Sequence, residues 1–451
     1  MLIVTKKRTL ISIFVSNFNI MERFALEDLK KWKQSGNRKP LIIQGARQVG
    51  KTWLMNEFGA REYEQLAYIN FESSVALKSL FTTDFDIKRI IAAIQIETGT
   101  KILAENTLII LDEIQEAERG ITSLKYFYEN APQYHVIAAG SQLGITMHQQ
   151  TSFPVGKVDF LTLYPMTFNE YLLALQQDLL VTAIQNNDWQ LITTFKTRLA
   201  GYLRQYYFIG GMPEVVYSFT RDNDFNHARI IQKNILTAYE HDFSKHAPAE
   251  IVPRIKMLWQ TIPAQLSKEN KKFIYGVIKS GGRAKEFELA LAWLNDCGLV
   301  HKVHRILKPF LPLMSYMDIS AFKLFLLDVG LLAAMGSLDI HTLLEEDRIF
   351  TEFKGALTEQ FVLQHLKARK DIEVFYWSAE RSIAEIDFVI QRNGNIIPVE
   401  VKAGENLKAK SLKSYCEKFA PKTAIRTSMS DYRAESRMTN VPLYAVDSFS
   451  F

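Results

Sequence analysis

Gly45-Ala46-Arg47-Gln48-Val49-Gly50-Lys51-Thr52 follows the apolar run Leu41-Ile42-Ile43 and precedes the helix-like segment Trp53-Leu54-Met55-Asn56-Glu57-Phe58. The spacing is G-x-x-x-x-G-K-[ST] in a strand-loop-helix context, the pattern of a phosphate-binding loop. Its glycines let backbone N–H groups turn toward phosphate oxygens at a helix N-terminus. Lys51 brings a point charge to the β- and γ-phosphates, and the Thr52 hydroxyl is a ligand for Mg²⁺. All eight residues are expected to contact a nucleotide, with ATP and Mg²⁺ as cofactors.

Working outward, short apolar runs at Leu41–Ile43, Leu66–Phe71, Thr107–Leu111, Val136–Ala139 and Val158–Leu163 alternate with longer helical segments. That alternation predicts a parallel α/β sheet. The third run ends in Asp112-Glu113, roughly 60 residues after the loop. In a phosphoryl-transfer site, Asp112 holds the Mg²⁺ shell and Glu113 orients and polarises the attacking water. A strand ending in Asp-Glu is by itself an ordinary solvated loop start; the complete loop upstream gives it meaning. The next run ends at Gly140-Ser141, which assigns Ser141 a sensor role between γ-phosphate and water.

These residues resemble the AAA+ branch of P-loop ATPases. More narrowly, their order is similar to a large prokaryotic family of ATP-binding proteins with an AAA-type module and an uncharacterised C-terminal region. The matching pieces are Gly45–Thr52, Leu108–Gln115, Ala139-Gly140-Ser141, the stretch from Leu163 to Tyr171, and the stretch from Tyr206 to Glu214. Gly156-Lys157 stands where the family often has Gly-Arg, and a lysine lacks the planar bidentate fork. The resemblance implies an AAA+ core over 37–167, preceded by an extension and lead-in helix over 1–36 and followed by a helical lid over 168–250.

The lid segment carries aromatics and leucines at three- and four-residue spacing, read as core packing. Gly210-Gly211-Met212-Pro213 reads as a turn or hinge, and an arginine finger would come from Arg198, Arg204 or Arg221. From 251 to 345 the order helix, helix, turn, helix, strand resembles a winged helix-turn-helix. Lys268, Lys271, Lys272, Lys279, Arg283, Lys285, Lys302 and Arg305 supply a phosphate-contacting face there. The same module and the same charges also suit a protein-binding element with a solvated surface. Ala321-Phe322-Lys323-Leu324-Phe325-Leu326-Leu327-Asp328-Val329-Gly330-Leu331-Leu332 matches a further family segment and reads as buried structure.

A second chemical constellation lies in 346–451. A helix carries Glu359 among Phe353, Leu357, Phe361, Val362 and Leu366. Two strands joined by Arg392-Asn393-Gly394-Asn395 carry Asp387 and then Glu400 and Lys402. Glu400 and Lys402 are two apart and so project from one face. The separation D-x₁₂-E-V-K resembles the PD-(D/E)XK restriction-endonuclease-like core. In active members the carboxylates hold a metal ion and the lysine activates water, which implies a second Mg²⁺ or Mn²⁺ here. An isolated E-x-K carries almost no information; the helix glutamate, the aspartate strand and the turn give it weight. Ala384-Glu385-Ile386 departs from the proline-containing element expected before the aspartate.

Composition limits the alternatives. With 451 residues, 47% of them hydrophobic, the chain supports several cores, and a net charge of +5 permits an acidic partner without requiring one. Cys297 and Cys416 lie far apart without metal-ligand spacing, which fits a reducing cytoplasm. No run reaches the roughly 18 apolar residues of a membrane span. Lys6-Lys7-Arg8 precedes a short apolar run that lacks a cleavage site, and Met21 is an alternative natural start. The sequence therefore predicts a Mg²⁺-dependent ATPase coupled, through a winged helix, to a DNA-associated, nuclease-like domain. The rival reading is an ATP-dependent switch acting on a protein partner, with the C-terminal domain an inactive platform. Homo-oligomerisation is open on either.

Overall fold

The structure, a computed structural model, describes residues 21–140, 153–268, 272–344, 351–370, 372–379 and 384–449. They form two compact units, one drawn from 23–164 with 296–299, the other from 165–295 with 300–449 and residues 21–22.

The first unit is built on a five-stranded sheet. Its strands are β1 (Leu41–Gln44), β2 (Gln65–Asn70), β3 (Thr107–Asp112), β4 (His135–Ala139) and β5 (Asp159–Thr162), in the order β2-β3-β4-β1-β5. Every pairing is parallel. β3 and β4 are buried along their whole length, as near-continuous apolar runs covered on both faces must be. On one face Ile69, Phe71, Ile90, Ile94, Leu111 and Phe127 belong to a single apolar cluster. β1 and β3 are separated by β4, so the loop after β1 and the carboxylates after β3 lie at the same, C-terminal edge of the sheet. Ligands of open parallel sheets bind at that edge.

The second unit begins with helices and ends in an eight-stranded mixed sheet. Its strands are β6 (Val300–Ile306), β7 (Met317–Leu326), β8 (Val374–Ser378), β9 (Glu385–Arg392), β10 (Asn395–Val401), β11 (Ala424–Ser428), β12 (Arg433–Ala434) and β13 (Met438–Pro442). Their order is β12-β13-β11-β10-β9-β8-β6-β7. Strands on both sides of residue 346 thus share one sheet, because β6 pairs with β8 in parallel through Arg305–Tyr376 and Ile306–Trp377. The β9–β10 hairpin turns through Asn393 and Gly394, both with positive φ (49° and 71°), as the Asn-Gly dipeptide requires.

A buried polar lattice on the helix Thr351–Ala368 ties this unit together. Gln360 exchanges two hydrogen bonds with the backbone of Leu326, Gln364 accepts from Val329 N, and His365 Nε2 accepts from Phe168 N at 2.7 Å. Asp328, fully buried, accepts from Gly211 N at 2.6 Å and from Leu331 N at 2.9 Å. A Cβ at Gly210 would stand 2.2 Å from Asp328 Oδ1, so the Gly-Gly turn is a site of forced close approach. Among the described residues, no helix is long and apolar enough to cross a membrane.

Candidate functional site

The loop after β1 has the backbone its glycines predict. Gly45 has φ 141°, and a Cβ there would sit 2.3 Å from the Leu163 carbonyl. Gly50 (φ 94°) is the left-handed N-cap of the helix Lys51–Glu62. The free N–H groups of that helix start therefore face the loop. Lys51 is buried, and its ammonium donates to the Gly45 and Ala46 carbonyls at 2.9 and 2.8 Å. Burial pulls its pKa down to about 8, against the upward pull of Glu113 and then Asp112. A buried cation hydrogen-bonded to neutral carbonyls is poised to exchange them for phosphate oxygens.

Thr52 Oγ1 donates to Asp112 Oδ2 at 2.9 Å, which joins the loop to the end of β3. Tyr68, on β2, donates to the same oxygen at 2.8 Å, while Asp112 Oδ1 accepts from Glu113 N at 3.1 Å. Burial raises the Asp112 pKa even though the Tyr68 and Thr52 bonds pull it down. Such a carboxylate gains from a positive charge placed beside it. A hydroxyl and a carboxylate held together are a fitting donor pair for Mg²⁺, which takes one or two protein ligands and fills its shell with water and phosphate oxygens. Glu113 has a left-handed backbone (φ 49°), and its Oε2 accepts from Gln115 Nε2 at 2.5 Å. The turn thus sets Glu113 apart from the strand line and Gln115 orients its carboxylate.

The structure brings together Gly45–Thr52, Asp112 and Glu113. Ser141 lies outside the described residues. Lys157, where the resemblance expects arginine, pairs with Glu129 at 3.0 Å.

Sequence reasoning missed two residues of this site. Arg23, 4% exposed, donates from Nη1 to the Val49 carbonyl at 3.0 Å and from Nη2 to the Tyr164 carbonyl at 2.6 Å. It clamps the phosphate loop to the chain leaving β5. Its signal was a lone guanidinium ahead of an apolar helical face. Alternation carried a signal for Tyr68 that went unused: Leu66, Tyr68 and Asn70 share one face of β2, and the latter two carry polar groups toward its C-terminal end.

In the second unit, Glu359, Asp387, Glu400 and Lys402 lie close to one another, but not around an open metal position. Lys402 pairs with Glu400 Oε1 at 2.7 Å, and Asp387 Oδ2 accepts from Val401 N at 2.8 Å. Burial raises the Glu400 pKa, against the lowering effect of Lys402. Lys323, fully buried on β7, brings its ammonium 2.5 Å from Glu385, 3.8 Å from Glu359 and 4.0 Å from Asp387. It also lies 5.0 Å from the centre of the Tyr376 ring. Burial would lower its pKa, but Glu359, Glu385 and Asp387 together raise it. Among the described residues, no group of three or more His, Cys, Asp or Glu side chains is placed to hold a metal ion. The second Mg²⁺ or Mn²⁺ implied by the nuclease resemblance does not fit this arrangement.

Comparison with known proteins agrees with the first unit's geometry. Residues 37–172 match the model of an AAA domain. Residues 200–342 and 354–446 match two domains of unknown function, DUF8612 and DUF4143. No curated protein matches the chain. Similar solved structures include a Walker-type ATPase of Pyrococcus abyssi at 13% identity and TM-score 0.44, covering 69% of this chain and 95% of that one. Another is the Aeropyrum pernix ORC1 protein in complex with DNA, at 12% identity and TM-score 0.26, covering 69% of this chain and 90% of that one.

Proposed function

We propose that this chain, whose residues 37–172 match an AAA domain, hydrolyses ATP at the loop–β3 edge and uses the cycle to govern a DNA-contacting element in its second unit. The observation that carries the hydrolytic part is the Thr52–Asp112 hydrogen bond at 2.9 Å, with Glu113 on the next residue. Lys51 exchanges the Gly45 and Ala46 carbonyls for β- and γ-phosphate oxygens. Thr52 and Asp112 would hold Mg²⁺, which when bound would neutralise charge on those phosphates. Glu113 orients the attacking water and draws on its proton; Ser141 is assigned the sensor position. Tyr68 and Arg23 act through others, Tyr68 by fixing Asp112 and Arg23 by fixing the loop backbone.

Support for DNA comes from residues 252–326. Helices Val252–Leu266, Tyr275–Ile278 and Ala284–Asp296 followed by the antiparallel pair β6–β7 keep the order of a winged helix. Lys272, Lys279, Arg283 and Lys285 are exposed there. The test is ATPase activity and salt-dependent binding with duplex, single-stranded and branched DNA. Stimulation of hydrolysis and affinity that falls with salt support the reading; ATPase indifferent to DNA together with no salt-sensitive binding rejects it. One observation favours a protein partner instead. Leu307, Phe310, Leu311 and Met314 on the β6–β7 connection and Ile319 on β7 are all between 45% and 75% exposed. Apolar residues exposed in that way suit a protein surface better than a phosphate backbone.

A further inference from the structure

Lys323 sits in an apolar strand, in the run Ala321-Phe322-Lys323-Leu324-Phe325-Leu326, where every residue is buried. An isolated ammonium is costly in such a place, so its partners define its role. They are Glu359 of the helix Thr351–Ala368 and Glu385 and Asp387 of β9, at 3.8, 2.5 and 4.0 Å. Two of these three are the helix and strand carboxylates that a nuclease of the PD-(D/E)XK type would turn toward its metal. Strands β6 and β8 lie between β7 and β9 in the sheet, so Lys323 reaches the cluster from outside the hairpin that carries the motif.

We infer that the Lys323 ammonium occupies the cation position of this carboxylate cluster, so that the second unit takes no divalent metal there and its nuclease-like residues form a metal-free scaffold. Each acid faces a protein-supplied cation or donor, although Glu400 Oε2 is buried without a hydrogen bond among the described residues. Glu385, Glu359 and Asp387 face Lys323; Asp387 also accepts from Val401 N; Glu400 Oε1 takes the Lys402 ammonium. A divalent ion in the same place would have to displace Lys323 into an apolar wall, or stand beside an ammonium and lose much of its own attraction to the acids. Octahedral oxygen coordination, the geometry that suits Mg²⁺ and Mn²⁺, would have to draw on the same carboxylates that face the lysine. The inference is independent of the ATPase reading, because all variants that test it keep the phosphate loop intact.

The experiment is a Mn²⁺ titration of nucleotide-free full-length protein, with the signal of free Mn²⁺ followed by electron paramagnetic resonance. The parent, Asp387→Asn, Glu400→Gln and Lys323→Met are compared. Any Mn²⁺ held by the first unit is common to all four and cancels. The expected result is the same Mn²⁺ occupancy in the parent, Asp387→Asn and Glu400→Gln, and one additional Mn²⁺ per chain in Lys323→Met. The melting temperature of Lys323→Met then rises on adding Mn²⁺, whereas that of the parent does not. Loss of one Mn²⁺ from the parent on Asp387→Asn or Glu400→Gln overturns the inference, and so does a folded Lys323→Met that gains none. If Lys323→Met does not fold, the comparison of the parent with Asp387→Asn decides the matter alone.

Discussion

At the scale of the residue, the most informative group is Lys51. Its ammonium is buried, donates to two neutral carbonyls of its own loop and has a pKa brought down by burial to about 8. Phosphate restores the proton affinity that burial removed, so ATP binding above pH 8 must be accompanied by proton uptake. The apparent affinity for ATP should fall about tenfold per pH unit above 8, and calorimetry in buffers of different ionisation heat should register up to one proton taken up there. Arg23 gives a second residue-level prediction. Removing it leaves the Val49 and Tyr164 carbonyls without a buried donor, at about 1–3 kcal/mol. Arg23→Met should therefore weaken ATP binding at least several-fold while helical circular dichroism is kept, and Arg23→Lys, with one donor head in place of a fork, should recover only part. The sequence made Lys51 plain because a motif marks it. Arg23 and Lys323 were opaque because their meaning lies in what they meet across more than 25 residues of chain.

At the scale of the element, the glycine-bearing turns are the places where shape rather than propensity decides. Gly45→Ala combines a φ of 141° with a Cβ 2.3 Å from the Leu163 carbonyl. The change should destabilise the first unit by about 1–3 kcal/mol, read as a lowered melting temperature, and distort the phosphate loop. In the second unit the turn Gly210-Gly211 is held by Asp328, whose pKa burial raises from 3.8 to about 6 against four donors that lower it. Below pH 4 the carboxyl is protonated in both folded and unfolded chains and contributes no slope. Between about pH 4 and 6 the folded form binds more protons, so stability falls as pH rises; above 6 the full cost, about 3 kcal/mol, is present. Asp328→Asn should flatten the loss of melting temperature between pH 4.5 and 6.5, even though it lowers stability overall by removing an acceptor. The strands of the first unit were legible to within a residue or two, since β1, β3 and β4 are continuous apolar runs. The Asn393-Gly394 hairpin was legible for the same local reason. The eight-stranded sheet was not: nothing local in Val300–Ile306 says that it will pair with Val374–Ser378.

At the scale of the whole molecule, the chain joins a segment that matches an AAA domain to a unit in which Lys323 lies beside the acidic motif. Motif reading found Glu359, Asp387, Glu400 and Lys402 as neighbours but could not see Lys323 among them, because its strand reads as ordinary buried core. ATP hydrolysis is accordingly the chemistry proposed for this chain, and it resides in the first unit. The most direct measurement is a paired one on Glu113→Gln: ATP affinity by calorimetry and steady-state ATP hydrolysis in Mg²⁺. The account predicts affinity within about threefold of the parent and hydrolysis reduced by about 10²-fold or more. Hydrolysis by Glu113→Gln at the parent rate, with ATP bound equally well, would contradict it.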